Sequence, residues 1–148
     1  MTFLHTHNGG RIIAECEKAF VKYHNDNNKA FDIINCDDSY SRTYQDFLEY
    51  FKEKKGGYFI ANRDSIAAAI VNAAIERGLK VPEDVEVLSL VGTKYAHILR
   101  PTLSSIYIGM EEVGRRAMFM LTDLIKGSLI NKSYKFEGAY EKRSSTLN

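Results

Sequence analysis

With two cysteines and a formal net charge of +1, this 148-residue chain lacks several of the usual signposts of function. Cys16 and Cys36 are too few for a disulfide framework. They fall in segments that read as a helix and a strand, which fits reduced, partly buried thiols. The near-zero charge gives no overall bias toward nucleic acid, and the longest same-sign cluster, Lys52 to Lys55, is broken by Glu53 and fits a solvated helix end. No run approaches the roughly 20 apolar residues of a membrane span, and residues 1–10 hold no apolar core of signal length. A reducing, cytoplasmic setting is therefore expected.

The parts of an enzyme are missing too. There is no Ser-His-acid order at strand ends, no phosphate-binding glycine loop and no ligand set for a catalytic metal, so neither catalysis nor a cofactor is expected. The polar, glycine-ended residues 1–10 are read as irregular, with Phe3 and Leu4 as the alternative of a frayed strand end; His5 and His7 would share a strand face, but no third ligand of suitable type lies near, which favours a flexible terminus over a metal site. His24 and His97 are expected at the surface. No internal repeat or low-complexity segment interrupts the chain.

What is present is ordinary for one globular domain, at 45% hydrophobic and 26% charged. The most legible stretch spans residues 58–91. Tyr58, Phe59 and Ile60 make a short apolar strand that Asn62, Arg63 and Asp64 end. With Asp64 as its expected N-cap, a helix carries Ile66, Ala67, Ile70, Val71, Ala74 and Ile75 at helical spacing, until Gly78 stops it. Val85, Val87, Leu88, Leu90 and Val91 then form a second buried strand. Strand, helix, strand is most simply a right-handed parallel crossover, whose ligands sit at the carboxyl ends of the strands.

Around this unit the alternation continues. A helix over residues 11–23 repeats Ile12, Ile13, Cys16, Ala19, Phe20 and Tyr23. Residues 31–35 read as a strand ending in Cys36, Asp37 and Asp38, and residues 41–54 as a helix with Ser39 or Ser41 as candidate cap. The segment 92–100 is too short for a full crossover helix, Pro101 opens a strand over 103–108, and 110–126 is a helix with a broad apolar face. Residues 129–132 read as a loop, and 134–146 as one or two short polar strands. The expected fold class is α/β: a three-layer α/β/α arrangement with a mainly parallel sheet.

Five segments in order over the C-terminal part also carry a family likeness: RDSIA from Arg63, ERGLKVPEDVEVLSL from Glu76, PTLSSI from Pro101, EEVGRRAMFML from Glu111 and KRSST from Lys142. The chain resembles the C-terminal part of the effector-binding domain of LacI/GalR transcriptional regulators. The resemblance implies a periplasmic-binding-protein-like type I subdomain over residues 1–109. It implies that the helix and loop of 110–132 pack on an N-terminal subdomain outside this chain, and that 133–148 returns to the first subdomain. It further implies a homodimer, a small-molecule effector (a sugar, sugar derivative or nucleobase-like compound) clamped between subdomains, and DNA contact only through a helix-turn-helix that this chain lacks.

Against that family pattern, Arg11 matches an arginine that holds effector oxygens, although an exposed arginine in a first helical turn is an equal reading. Asp37 and Asp38 fall at an acidic or aromatic effector contact, and equally suit a plain strand-to-helix turn. Arg63 replaces the family's usual asparagine and favours an anionic effector. Val91 stands where sugar-binding members commonly carry an aspartate, leaving Thr93, Lys94 and Tyr95 as replacement polar contacts. Tyr40 suits ring stacking or simple packing. The alanine-rich helix is a candidate dimer face through Ala68, Ala69, Val71 and Asn72, or else its small side chains pack on the sheet. Two further functions share parts of this pattern: a solute-binding protein of a transporter, and a phospho-receiver module built on Asp37 and Asp38.

Overall fold

The computed structural model describes residues 1–6, 10–128 and 133–147. Its elements run β1 (Thr2–Thr6), α1 (Gly10–Asp26), β2 (Asp32–Cys36), α2 (Tyr40–Glu53), β3 (Gly57–Ala61), α3 (Asp64–Glu76), β4 (Val85–Ser89), α4 (Lys94–Ile98), β5 (Ser104–Tyr107), α5 (Met110–Ile125) and β6 (Ala139–Glu141). The strands form one sheet in the order β2-β1-β3-β4-β5-β6, parallel throughout except for β6. The order reverses direction between β1 and β3, the position where doubly wound sheets open a crevice at their carboxyl edge.

The first strand corrects an expectation. Residues 2–6 are not irregular but form an inner strand, paired with β2 on one edge and β3 on the other. Only Phe3 and Leu4 are apolar there, too few for a periodic signal, and the neighbouring strands supply what the local sequence does not. Phe3 meets Phe20 of α1 at 5.4 Å between ring centroids, while Leu4 joins the main core on the opposite face. His5 engages Glu17 of α1, and His7 lies outside the described residues.

That core lies between the sheet and the α2/α3 pair, where Phe47, Phe51, Phe59, Ile66, Ile70, Val85 and Val87 are all buried. Helix α2 begins where Ser39 Oγ accepts a hydrogen bond from Arg42 N at 3.4 Å, so Ser39 is the cap. Helix α3 ends in the expected way, with Gly78 at φ +76° and Leu79 N donating to Ala74 O at 3.0 Å. Helix α1 covers β1 and β2 on the other face. It runs three residues further than the periodicity indicated, because His24 packs inward rather than outward. That histidine is 4% exposed, its Nδ1 is 2.8 Å from Phe20 O, and Phe20 and Phe31 enclose its ring, which corrects its expected surface position.

The C-terminal tail is stitched into the sheet by polar contacts. β4 and β5 pair over only two register positions. Beside them Ser145 Oγ donates to Val87 O at 2.6 Å and accepts from Ser104 N at 2.8 Å, while Ser145 O accepts from Val87 N at 2.9 Å. Arg143 adds bonds to Leu103 O and Ser105 Oγ, each at 2.7 Å. The Arg-Ser-Ser-Thr run is thus a backbone patch for a short strand pair. One strand, β6, forms in this tail, and the loop expected at 129–132 lies outside the described residues.

Candidate functional site

The carboxyl ends of β3, β4 and β5 meet at one edge of the sheet, and two adjoining cavities open there. One of about 300 Å³ is lined by Arg63, Asp64, Ser65, Val91, Thr93 and Tyr95. The other, about 360 Å³, continues past Val91 and Thr93 to Gly92, Tyr107, Ile108 and Met110. A separate groove of about 180 Å³ sits on the face of β3 and β4 away from this edge, beside Tyr58, Ile60 and Leu88, and its polar side chains Glu86, Tyr140 and Thr146 hydrogen-bond within the chain.

Asp64 organises the floor of the first cavity. Its expected role as N-cap is corrected: Arg63 occupies the cap position without a side-chain bond, and Asp64 is the first residue of α3. The carboxylate is 3% exposed and faces the loop after β4. One oxygen accepts from Ser89 Oγ at 2.5 Å, and the other from Thr93 N at 2.7 Å and Thr93 Oγ1 at 2.5 Å. A buried carboxylate needs this degree of satisfaction, because it gives up several kcal/mol of hydration. Ser89 Oγ in turn accepts from Val91 N at 3.3 Å, and Thr93 Oγ1 caps α4 by accepting from Tyr95 N at 3.3 Å. The network therefore sets the path of residues 89–95, which form the shared wall of both cavities.

Arg63 lies above this floor. It is about half exposed and pairs with Asp38, from the end of β2, at 2.9 Å. Of the residues singled out from the sequence, the structure thus brings Arg63 and Asp38 together, and places Arg63 and Thr93 in one cavity. Asp37 is exposed, and its carbonyl accepts from Thr43 Oγ1 at 3.3 Å. Arg11 and Lys94 are exposed and have no side-chain partner among the described residues, and neither lines the two cavities. Val91 closes no strand, since β4 ends at Ser89; it turns out into the cavities at 40% exposure. Tyr40 stacks on Tyr44, and its hydroxyl accepts from Asn72 Nδ2 at 2.8 Å.

Ala68, Ala69 and Val71 are buried inside this chain, and Asn72 alone of the four is partly exposed. The small side chains of α3 bring it close to α2 and the sheet, and a face made of those three is already covered. The sequence reading passed over Tyr107, Ile108 and Met110 as lining residues. Their signal was the same carboxyl-end rule that found Arg63 and Thr93, applied to β5.

This fold defines the class: an α/β unit with a mainly parallel sheet and two adjoining cavities at its strand ends. Residues 5–146 match the family described as periplasmic binding protein-like domain. The chain is 34% identical over 132 residues to the HTH-type transcriptional regulator pepR1 of Lactobacillus delbrueckii subsp. lactis, covering 88% of this chain and 39% of that protein. It is 28% identical over 104 residues to catabolite control protein A of Staphylococcus aureus, covering 68% of this chain and 31% of that one. Among solved structures, the Escherichia coli transcriptional repressor ascG superposes with a TM-score of 0.86 at 23% identity, over 99% of this chain and 55% of that chain. A LacI family regulator from Arthrobacter sp. FB24, in complex with lactose, also gives 0.86, at 22% identity, covering 99% and 56%. The chain belongs to the periplasmic binding protein-like family, in the form carried by LacI/GalR transcriptional regulators. It spans about two fifths of the curated relative most fully aligned here, and about half of the solved chains.

Proposed function

We propose that this chain is the ligand-sensing region of a LacI/GalR-like transcriptional regulator acting in the cytoplasm, and not an enzyme. The observation that carries the reading is the pair of adjoining cavities at the carboxyl ends of β3, β4 and β5, beside Arg63 and Thr93. A small-molecule effector, of the sugar, sugar-derivative or nucleobase class and with room for an anionic group, lies over this edge. Arg11 from the first turn of α1, Asp37 and Asp38 from the loop after β2, and Lys94 from the start of α4 reach it as a second subdomain closes. No cofactor takes part.

Helix α5 has no buried residue, and Met118, Phe119, Leu121 and Leu124 are all at least half exposed. A face of that size is a contact surface. In this reading α5 packs on the N-terminal subdomain of the whole regulator, which also supplies the helix-turn-helix, while residues 129–132 of the expected contact lie outside the described residues. The whole protein works as a dimer, to which α3 contributes no more than the Asn72 edge. Effector binding favours one arrangement of the two subdomains and so changes the spacing of the DNA-binding heads.

The test uses the protein encoded by the complete gene. Melting temperature is followed against a panel of sugars, sugar phosphates and purines, and operator binding is followed by fluorescence anisotropy. A compound that raises the melting temperature in a concentration-dependent way and shifts the operator affinity supports the reading. A protein that binds no DNA fragment from its own promoter region, with or without such compounds, removes it.

A further inference from the structure

We infer that the effector is an amphipathic anion, a small carboxylate or phosphate ester on a flat apolar body, rather than a neutral polyol. The inference rests on the reading of this edge as the effector site, and its argument is a count of which polar capacity is still open. A polyol needs acceptors for its hydroxyl protons, and buried donors without acceptors oppose binding. The carboxylates nearest the cavities are committed within the chain. Asp64 accepts three hydrogen bonds, from Ser89 and twice from Thr93, and Asp38 is held by Arg63. Val91 projects a side chain with no acceptor between the two cavities.

The donors are in the opposite condition. Arg63 has five N–H groups in a planar fork. Among the described residues its only ion-pair or hydrogen-bond partner is Asp38, through Nη1. Arg63 also lines the 300 Å³ cavity, so an anionic group there can take its remaining N–H groups bidentately. Beyond Asp64 and the hydroxyls of Ser65 and Thr93, the wall is mostly apolar or aromatic: Val91, Tyr95, Tyr107, Ile108 and Met110. A donor-rich corner beside flat apolar walls selects a ligand with one charged end and one ring. Asp38 is then a competitor for Arg63, which the ligand must outbid or share.

The experiment is an amide NMR titration of the protein encoded by the complete gene with four probes at millimolar concentration: 4-hydroxyphenylacetate, its neutral amide, phenyl phosphate and glucose. The expected result is that the two anions shift the amides of Arg63, Thr93, Tyr95 and Tyr107, and that the neutral amide and glucose bind about tenfold more weakly or not at all. The two anions distinguish a carboxylate from a phosphate preference. Arg63→Gln weakens the anions about tenfold with the spectrum otherwise unchanged, and Arg63→Lys restores part of the loss. Asp38→Asn tightens them severalfold by releasing the guanidinium, an effect that a merely structural ion pair would not produce. If glucose or the neutral amide shifts the same amides as strongly as the anions, or if Arg63→Gln leaves anion binding intact, the anion inference is overturned while the site reading stands. If none of the four probes moves these amides, both fall.

Discussion

Helices α3 and α5 are both rich in apolar residues, yet nine of the 13 residues of α3 are buried and none of the 16 in α5 is. Apolar content alone therefore does not tell core from contact surface. Size and distribution do. The apolar residues of α3 are mostly alanines spread round the whole helix, with Ile66, Ile70 and Val71 as the larger buried ones and Ile75 partly open near its end, so that it fits between α2 and the sheet. Those of α5 are mostly large and, apart from Phe119, fall on one broad stripe opposite Glu112, Arg115 and Arg116, which pair among themselves on the polar side. A helix apolar all round is an interior element, whereas a striped one lying open is an element whose partner is elsewhere.

The largest expected effect separates the two directly. Ile70→Ala, at a site with no exposure, should cost about 2–5 kcal/mol of unfolding free energy through lost transfer and a residual cavity. Leu121→Ala, at a half-exposed site on α5, should stay within about 0.5 kcal/mol. Urea unfolding of the two variants measures the contrast. Equal losses would mean that α5 is packed in solution against something in this same chain, and the comparison would fail.

Overfilling tests why α3 uses alanine. Ala69→Leu should destabilise by about 1–3 kcal/mol, because the close approach of α3 leaves no room for three more carbons. A neutral or stabilising outcome would reveal a void beside α3. Asp64→Asn comes next, at about 2 kcal/mol, since the amide keeps the shape but loses charge-assisted acceptance from Ser89 and Thr93. Its more specific sign is faster amide exchange at Thr93, the loop residue that the carboxylate holds. Unchanged exchange there would mean that the loop is set by its own turn.

Much of the architecture was legible because periodicity and turn residues agreed: the crossover from β3 to β4, the Ser39 cap, the Gly78 stop and the open stripe of α5. The misses have one physical origin, which is that contacts distant in sequence overrode local type. β1 has two apolar residues and is a strand because β2 and β3 bond both its edges. His24 is interior because Phe20 and Phe31 enclose it. Asp64 looked like a cap because aspartate so often is one, and its actual partners lie 25 and 29 residues further along the chain. Of the candidate site, Arg63 and Thr93 could be found from strand ends, but the Arg63–Asp38 pairing and the apolar wall after β5 depend on strand order, which the sequence pattern left open.

The smallest effect contrasts the packed side of the sheet with the exposed one through the two thiols. Cys36 belongs to the core under α2, and burial first, then the carboxylates of Asp38, Asp46 and Asp37, push its pKa up from 9.0 to about 11. Cys16, on α1, is partly exposed. Iodoacetamide at pH 8 should therefore modify Cys16 first, with Cys36 protected both by cover and by its retained proton. The same shift has a definite sign for stability. Between pH 9 and about 11 the unfolded thiol loses its proton while the folded one keeps it, so stability is intact below 9 and falls as pH rises through that window. Cys36→Ala should flatten part of that fall in denaturant midpoints measured at increasing pH, with Tyr50, whose pKa is also raised by burial, contributing the same direction of slope. Equal alkylation rates for the two thiols at pH 8 would show that the side packed by α2 and α3 opens as readily as the α1 side, and that the burial contrast drawn between α3 and α5 does not describe the protein in solution.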